Sequence, residues 1–188
     1  MKMRRAKRKV RPVATVAAVV AVAPDLGRLL AQQVGVALKA HGMTLVTAES
    51  CTGGGVAQAV TMISGSSEWF DRGFVTYSNT AKEEMLGVAP DTLEQHGAVS
   101  EQTVREMADG ALQYSRAQVA LSVSGIAGPS GGTPEKPVGT VWFAWATSDN
   151  VQAVCHQLTG DRDAVRAKSV QIALQGVLNI LNNITKTA

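Results

Sequence analysis

The chain has 188 residues, of which 45% are hydrophobic but only 4% aromatic. This length and composition predict one domain with a core of Val, Ala, Leu and Ile, as is typical of α/β proteins. Residues 1–11 hold seven Lys and Arg and no acid, and the other 11 basic residues face 15 acidic ones, so the body carries a net charge of −4. A basic tail on an acidic body does not indicate a nucleic-acid-binding protein.

Residues 1–23 are interpreted as an N-terminal extension, outside a single domain at 24–188. Their basic start and the apolar run VATVAAVVAVA resemble a secretory signal. A cytoplasmic location is favoured, because the next segment enters an amphipathic helix without a break. Cys51 and Cys155 fit no zinc-site spacing and form no disulfide framework, which predicts a reduced protein without a metal. No other run reaches the roughly 18 apolar residues of a membrane span, so no membrane association is predicted.

Hydrophobic periodicity and turn residues predict alternating helices and strands in the first half of the body. Leucines at helical spacing before Gly42 predict a first helix at 24–42. The elements that follow are a strand at 43–49, a helix at 53–64, a strand at 72–78, a short helix at 80–87 and a turn-rich connection at 89–100.

The second half is predicted to begin with Ser100 as the N-cap of a helix at 101–117. Then come a strand at 118–124, an irregular region at 125–137, two strands at 138–148 and 151–160 joined as a hairpin, and a final helix at 162–185 capped by Asp161. The apolar face of that helix is formed by Val165, Ile172, Val177, Leu181 and Ile184. The order of elements predicts a three-layer α/β/α fold with a mixed sheet.

The stretch TAESCTGGG places two possible nucleophiles, Ser50 and Cys51, where a strand ends and a helix begins. The N–H groups of Thr52, Gly53 and Gly54 at such a helix start can bind a phosphate or a developing oxyanion. The glycines match neither the phosphate-loop nor the dinucleotide-binding pattern, and the serine does not fit G-x-S-x-G. The pattern alone leaves the choice of nucleophile open.

A serine nucleophile needs a base, and Tyr77 and Lys82 are the best candidates. Tyr77 is predicted to close a strand at the same sheet edge as the serine, and Lys82 lies about one helical turn beyond it. A buried lysine can act as a base, and a tyrosine can relay or stabilise the proton. The alternative is a surface lysine beside an edge aromatic residue. The histidines are predicted to be structural or on the surface: His41, His96 and His156.

Two further stretches carry candidate binding residues. SGIAGPSGGTPEKPVG follows a strand, and structured loops of this length are more often functional than idle. GDRDAVR supplies Arg162 and Arg166, which can hold a phosphate by bidentate contacts. The alternative, slightly favoured, is that both arginines pair with Asp161, Asp163 or Glu residues.

Five stretches together resemble the CinA C-terminal-domain family: TAESCTGG, RGFVTYSNTAKEEMLGV, HGAVSEQTV, SGIAGPSGGTPEKPVGTVW and GDRDAVR. They occur in the family's order, and the resemblance covers about residues 26–184. Stand-alone members of this family are nicotinamide-nucleotide amidohydrolases. The resemblance therefore implies an enzyme that converts nicotinamide mononucleotide and water to nicotinate mononucleotide and ammonia, without a metal or cofactor.

The resemblance also implies roles for individual residues. Ser50 would be the nucleophile, assisted by Tyr77 and Lys82, which agrees with neighbouring strand-end side chains pointing in opposite directions. The amides of the turn at 52–54 would stabilise the oxyanion. The loop at 124–133, including Gly125 and Gly128, would line the nucleotide pocket, and Arg162 or Arg166 would hold the 5′-phosphate. A homodimer is the default expectation for such an enzyme.

Two alternatives stay open. One is a nucleophilic Cys51 thiolate, which predicts that Cys51→Ala and not Ser50→Ala abolishes activity. The other is a regulatory module that binds a nucleotide without turning it over, since CinA proteins have been associated with competence and damage responses. The complete set of Ser50, Tyr77 and Lys82 favours the enzyme.

Overall fold

The computed structural model describes residues 26–187, with side chains up to residue 184; the predicted extension at 1–23 lies outside them. Within this part, helices and strands alternate as far as the second strand, after which three helices and then three strands follow in succession before the last helix. The elements are α1 (Leu26–His41), β1 (Leu45–Glu49), α2 (Gly55–Thr61), β2 (Phe70–Val75), α3 (Asn79–Leu86), α4 (Pro90–His96), α5 (Glu101–Gln113), β3 (Val119–Gly125), β4 (Thr140–Ala146), β5 (Val151–Gln157) and α6 (Arg162–Thr187).

The strands form one mixed sheet in the order β2-β1-β3-β4-β5. β1 is parallel to both β2 and β3, whereas β4 and β5 add as an antiparallel hairpin. Glu49, the last residue of β1, is level with Val75 of β2 and Val123 of β3. The carboxyl ends of three neighbouring parallel strands therefore meet at one edge, and ligands of open α/β sheets bind beyond such an edge.

Helices cover both faces of the sheet, which confirms the predicted three-layer fold. α1, α2 and α6 enclose one core, which includes Leu45 and Phe143. α5, with α3 and α4 beside it, encloses the other core, which includes Val46 and Met107. Successive residues of β1 enter different cores because strand side chains alternate between the two faces. Each fully buried side chain of this kind contributes about 1.5–3 kcal/mol.

α3 packs unusually closely on α5 at Gly110. A Cβ atom built on Gly110 would collide with the backbone of Leu86, the last residue of α3. Glycine inside a helix costs about 0.5–1 kcal/mol relative to alanine. Here it permits a contact that fixes the height of α3, and with it the position of Lys82, above the sheet.

The predicted helix caps are confirmed. The Ser100 hydroxyl oxygen accepts a hydrogen bond from the N–H of Thr103 at 3.2 Å, and a carboxylate oxygen of Asp161 accepts one from the N–H of Ala164 at 2.9 Å. α6 follows this second cap and buries the predicted apolar face against α1 and the sheet. No helix within residues 26–187 combines the length and the apolar character needed to cross a membrane.

Two local predictions were wrong. β2 ends at Val75 rather than at residue 78, so Tyr77 lies in the loop after the strand. The connection predicted as turn-rich contains α4, of whose seven residues only Leu93 is buried. α4 is capped from outside, because the Glu106 carboxylate accepts hydrogen bonds from the N–H of Ala89 and the hydroxyl of Thr92. Local periodicity cannot reveal a helix that depends on so distant a cap.

Candidate active site

A cavity of about 280 Å³ opens at the carboxyl edge of the parallel strands. Its walls come from the turn after β1, the loop and helix after β2, the segment before α5, the loop after β3 and the start of α6. The lining residues are Ser50, Cys51, Tyr77, Lys82, Ala98, Val99, Ser124, Gly125, Ile126, Ala127, Gly128, Ser130, Gly131 and Arg162.

Ser50 and Lys82 form a buried pair at the base of this cavity. Lys82 Nζ lies 3.1 Å from Ser50 Oγ and donates to the carbonyl oxygen of Thr76 at 2.8 Å. The Ser78 hydroxyl caps α3 by accepting from the N–H of Ala81, which places Lys82 in the first turn of the helix. The sequence prediction that these two side chains meet is supported by this distance.

The surroundings of Lys82 shift its protonation equilibrium towards the neutral amine. Only 1% of the residue is exposed, and it has no ion pair with any carboxylate among the described residues. Burial lowers the pKa of Lys82, because desolvation destabilises the ammonium ion. A neutral amine has two N–H bonds and one lone pair. When one N–H donates to Thr76, the lone pair can accept the Ser50 proton.

The surroundings of Cys51 disfavour the thiolate form of its side chain. Cys51 is 6% exposed, and burial, supplemented by the nearby negative charge of Glu49, raises the pKa of its thiol to about 11. Only about one thiol in 10,000 with such a pKa is ionised at pH 7. Because the thiolate is the reactive form, this environment argues against the cysteine alternative.

Tyr77 lies at the cavity mouth, away from the buried pair. It is 60% exposed, and its hydroxyl oxygen accepts a hydrogen bond from Arg162 Nη2 at 2.9 Å. Within the described residues its hydroxyl makes no hydrogen bond to Ser50 or Lys82. The structure therefore does not bring Tyr77 into the proton path that the sequence suggested.

The two candidate arginines separate into different cavities. Arg162 lines the Ser50 cavity and donates through Nη1 to the carbonyl oxygen of Gly128 at 2.8 Å. Arg166 instead donates to the carbonyl oxygen of Thr52 at 2.9 Å and lines a second cavity of about 280 Å³. Neither forms an ion pair with a carboxylate in the part of the chain that the structure describes. The alternative prediction of ion pairing is wrong for both.

The glycine-rich turn does not line the cavity with Ser50. The N–H of Gly53 donates to the carbonyl oxygen of Ser50 at 3.0 Å, and the Thr52 hydroxyl donates to Glu49 at 2.7 Å. Gly53 and Gly54 adopt positive φ angles of 58° and 91°, which close the turn tightly before α2. The structure thus places Thr52, Gly53 and Gly54 behind the serine.

Of the loop glycines, Gly125 and Gly128 both line the cavity as predicted. A Cβ atom on Gly125 would lie 2.7 Å from Val141 Cγ2 and 2.8 Å from the carbonyl oxygen of Thr140, so the start of the loop tolerates no side chain. Gly128 has a φ of 80°, and its carbonyl oxygen binds Arg162. The loop is thereby held over the cavity.

Several contributors were missed by sequence reasoning. Ala98 and Val99 line the cavity, and the buried Ser124 hydroxyl holds their segment by donating to the carbonyl oxygen of Ala98 at 2.6 Å. Both lie in the stretch HGAVSEQTV that carries the family resemblance, but small apolar side chains have no chemistry from which sequence reasoning could assign them a role. Thr76 acts through its carbonyl oxygen, which every residue has. Glu49 was detectable, because an acid at a strand end just before a helix start is typical of a capping group.

The protein has a three-layer α/β fold with a mixed sheet, and a buried serine–lysine pair lies at the carboxyl edge of its parallel strands. The chain belongs to the CinA family, since the model of the CinA C-terminal domain matches residues 28–181. The match falls entirely within the described residues and contains every lining residue of the cavity.

Similar proteins have been named as enzymes or as competence proteins. The chain is 61% identical over 147 residues to nicotinamide-nucleotide amidohydrolase PncC of Escherichia coli (strain K12), covering 78% of this chain and 89% of that protein. It is 49% identical over 151 residues to PncC of Pseudomonas putida, covering 80% and 94%. The crystal structure of competence/damage inducible protein CihA from Agrobacterium tumefaciens matches with a TM-score of 0.82 and 45% identity, covering 87% and 99%.

Proposed function

We propose that this protein is a nicotinamide-nucleotide amidohydrolase that uses Ser50 as nucleophile and Lys82 as general base. The observation that carries the proposal is the 3.1 Å contact between Lys82 Nζ and Ser50 Oγ at the base of a cavity. The substrate class is supported by the 61% identity to PncC of Escherichia coli. The reaction is hydrolysis of the carboxamide of nicotinamide mononucleotide to nicotinate mononucleotide and ammonia.

The reaction proceeds by acyl transfer in two halves. Neutral Lys82 accepts the Ser50 proton while Ser50 Oγ attacks the carboxamide carbon. The tetrahedral intermediate collapses when the resulting ammonium of Lys82 returns the proton to the leaving nitrogen, and ammonia departs. Lys82, again neutral, then takes a proton from water, which attacks the ester and regenerates the Ser50 hydroxyl.

The carbonyl oxygen of Thr76 orients the base. Its 2.8 Å hydrogen bond occupies one N–H of Lys82, which directs the lone pair towards Ser50. The oxyanion requires an amide donor close to Ser50. The N–H of Gly53 already donates to the carbonyl oxygen of Ser50, and Thr52, Gly53 and Gly54 lie outside the lining of the cavity, so this fold does not support the predicted oxyanion role of the turn.

The cavity wall suits a nucleotide with its base inside and its phosphate at the mouth. Ala98, Val99 and Ile126 provide apolar surface for the pyridine ring near Ser50. Arg162 is a cation without an acidic partner among the described residues, and it stands at the mouth beside Tyr77. A guanidinium so placed can bind the 5′-phosphate by paired hydrogen bonds. We further propose a cytoplasmic homodimer whose catalytic domain spans residues 24–188.

Ammonia release from nicotinamide mononucleotide tests the proposal directly. The native chain and Cys51→Ala are expected to turn over, whereas Ser50→Ala is expected to lose activity while remaining folded by circular dichroism. Loss in Cys51→Ala with activity retained in Ser50→Ala would identify a cysteine enzyme instead. Nucleotide binding without ammonia release by the native chain would leave a regulatory module and refute the catalytic assignment.

A further inference from the structure

A fully buried carboxylate lies immediately before the nucleophile. Glu49 is the last residue of β1, and 0% of it is exposed. It forms no ion pair with a basic side chain among residues 26–184. Burying an unpaired carboxylate costs several kcal/mol unless hydrogen bonds replace the lost water. The position of this charge therefore requires an explanation beyond packing.

Four donors surround the Glu49 carboxylate. The N–H groups of Val56 and Ala57, in the first turn of α2, donate to it at 3.0 and 2.8 Å. The Thr52 hydroxyl donates at 2.7 Å, and the Thr47 hydroxyl makes a longer contact of 3.4 Å. Two of these donors follow the nucleophile on α2 and a third lies in the turn that joins β1 to α2.

This carboxylate substitutes for a missing helix cap. The N-cap position of α2 is Gly54, which has no side chain to bind the first-turn amides. Glu49 supplies the acceptor and a negative charge that complements the positive end of the helix. It thereby fastens the end of β1 to the start of α2, and the residues between them, including Ser50, form a closed loop.

We propose that Glu49 is a positioning residue that holds Ser50 Oγ within reach of Lys82. This inference rests on the proposed function. Ser50 follows Glu49, whose backbone is paired in the sheet. Two residues after Ser50, the Thr52 hydroxyl is bound to the same Glu49 carboxylate. Displacement of a reacting group by about 1 Å lowers the rate about 100-fold. Loss of the Glu49 contacts is therefore expected to reduce kcat and to leave substrate binding at Arg162 intact.

The structure separates this role from tuning of the base. Burial lowers the pKa of Lys82, and the hydrogen bonds of its amine within the described residues involve Ser50 and Thr76, not Glu49. Removing the Glu49 charge should therefore leave the pH midpoint of kcat where it is in the native protein. A lower kcat at an unchanged midpoint and an unchanged KM is the signature of misplacement.

The experiment uses four variants of the full chain. Glu49→Gln removes the charge, Thr52→Val removes the shortest bond at nearly constant volume, and Thr52→Ser restores it. Ser122→Ala is the stability control, because the buried Ser122 hydroxyl donates to the carbonyl oxygen of Val104 at 2.6 Å on the opposite face of the sheet from α2. The measurements are kcat, KM, the pH profile of kcat, the melting temperature and the rate at which phenylmethylsulfonyl fluoride labels Ser50.

We expect kcat to fall about 100-fold in Glu49→Gln and about 10-fold in Thr52→Val, with KM within threefold of native and near-native kcat in Thr52→Ser. Ser122→Ala should lower the melting temperature without lowering kcat. Near-native kcat in Thr52→Val, or losses confined to KM, would overturn the proposal even if Glu49→Gln does not fold. The labelling rate separates the positioning role of Glu49 from the proposed amidohydrolase function. Slowed labelling of Ser50 in Thr52→Val supports the positioning role even if the native chain releases no ammonia. Equal labelling rates of Ser50 in the native protein and in Thr52→Val would refute the positioning role.

Discussion

Replacement of Lys82 by methionine tests whether folding produces a neutral base. The unfolded chain carries an ordinary lysine ammonium, whereas burial lowers the pKa of Lys82 in the folded protein. Between the lowered pKa of the folded lysine and the pKa of the unfolded one, the unfolded state therefore binds more protons than the native state. The native protein gains stability relative to Lys82→Met as pH rises from the lowered pKa towards about 10.5, at which the unfolded lysine titrates.

The magnitude follows from proton linkage. Where the folded lysine is neutral and the unfolded one charged, the gain is about 1.4 kcal/mol for each pH unit. A second effect lowers the free energy of unfolding of Lys82→Met at every pH, because the substitution leaves the buried carbonyl oxygen of Thr76 without its donor. That loss costs about 1–3 kcal/mol and does not change with pH. The slope with pH, rather than the absolute difference, therefore reports the state of Lys82.

Urea unfolding of the native chain and Lys82→Met, at several values between about pH 7 and pH 9, measures this slope. In that range the Cys51 thiol, with its pKa raised to about 11, stays protonated in the folded state. Lys168→Met, at an exposed position, controls for the loss of one positive charge. A stability difference that does not change with pH would show that folded Lys82 remains charged, and the general-base argument would fail.

Three further variants test individual contacts around the cavity. Tyr77→Phe removes the acceptor of Arg162 at the mouth but no contact of the buried pair, so KM should rise severalfold with kcat within twofold; a kcat loss above tenfold would restore the relay role. Arg162→Ala should raise KM for nicotinamide mononucleotide at least tenfold, but should not raise KM for nicotinamide riboside, which lacks the phosphate. Equal effects on the two substrates would exclude a phosphate contact. Gly110→Ala should lower the free energy of unfolding by about 1–3 kcal/mol by forcing Leu86 away, and should also reduce kcat; unchanged values by urea titration and ammonia assay would contradict the packing argument.

The sequence predicted the architecture because the evidence for it is local. Apolar periodicity and the caps at Ser100 and Asp161 placed most helices and strands within a few residues. The pairing of Ser50 with Lys82 was also predictable, since residues after neighbouring parallel strands collect at one edge of the sheet. The resemblance to a known family singled out the same pair among several candidates.

The features that the sequence could not predict depend on the direction in which side chains point and on contacts between residues far apart in the chain. Arg162 and Arg166 are one helical turn apart, yet the rise of about 6 Å between them is enough for each to meet a different loop. Tyr77 was assigned to proton transfer because its strand was expected to be longer than it is. The carboxylate of Glu49 binds the amides of Val56 and Ala57 at the start of α2. Its burial is a property of the assembled sheet and cannot be read from the local sequence.

The parallel pairing of β1 with β2 has a consequence for when the protein becomes chemically active. Ser50 and Lys82, the proposed nucleophile and base, are 32 residues apart and come together only when a crossover through α2 brings the two strands side by side. Parallel strands cannot pair through a short hairpin, so such contacts form late and slowly during folding. Until then Lys82 is a hydrated cation that cannot accept a proton. The proposed reactivity of Ser50 should therefore appear only with the finished fold, and its recovery should trail the recovery of helix content during refolding.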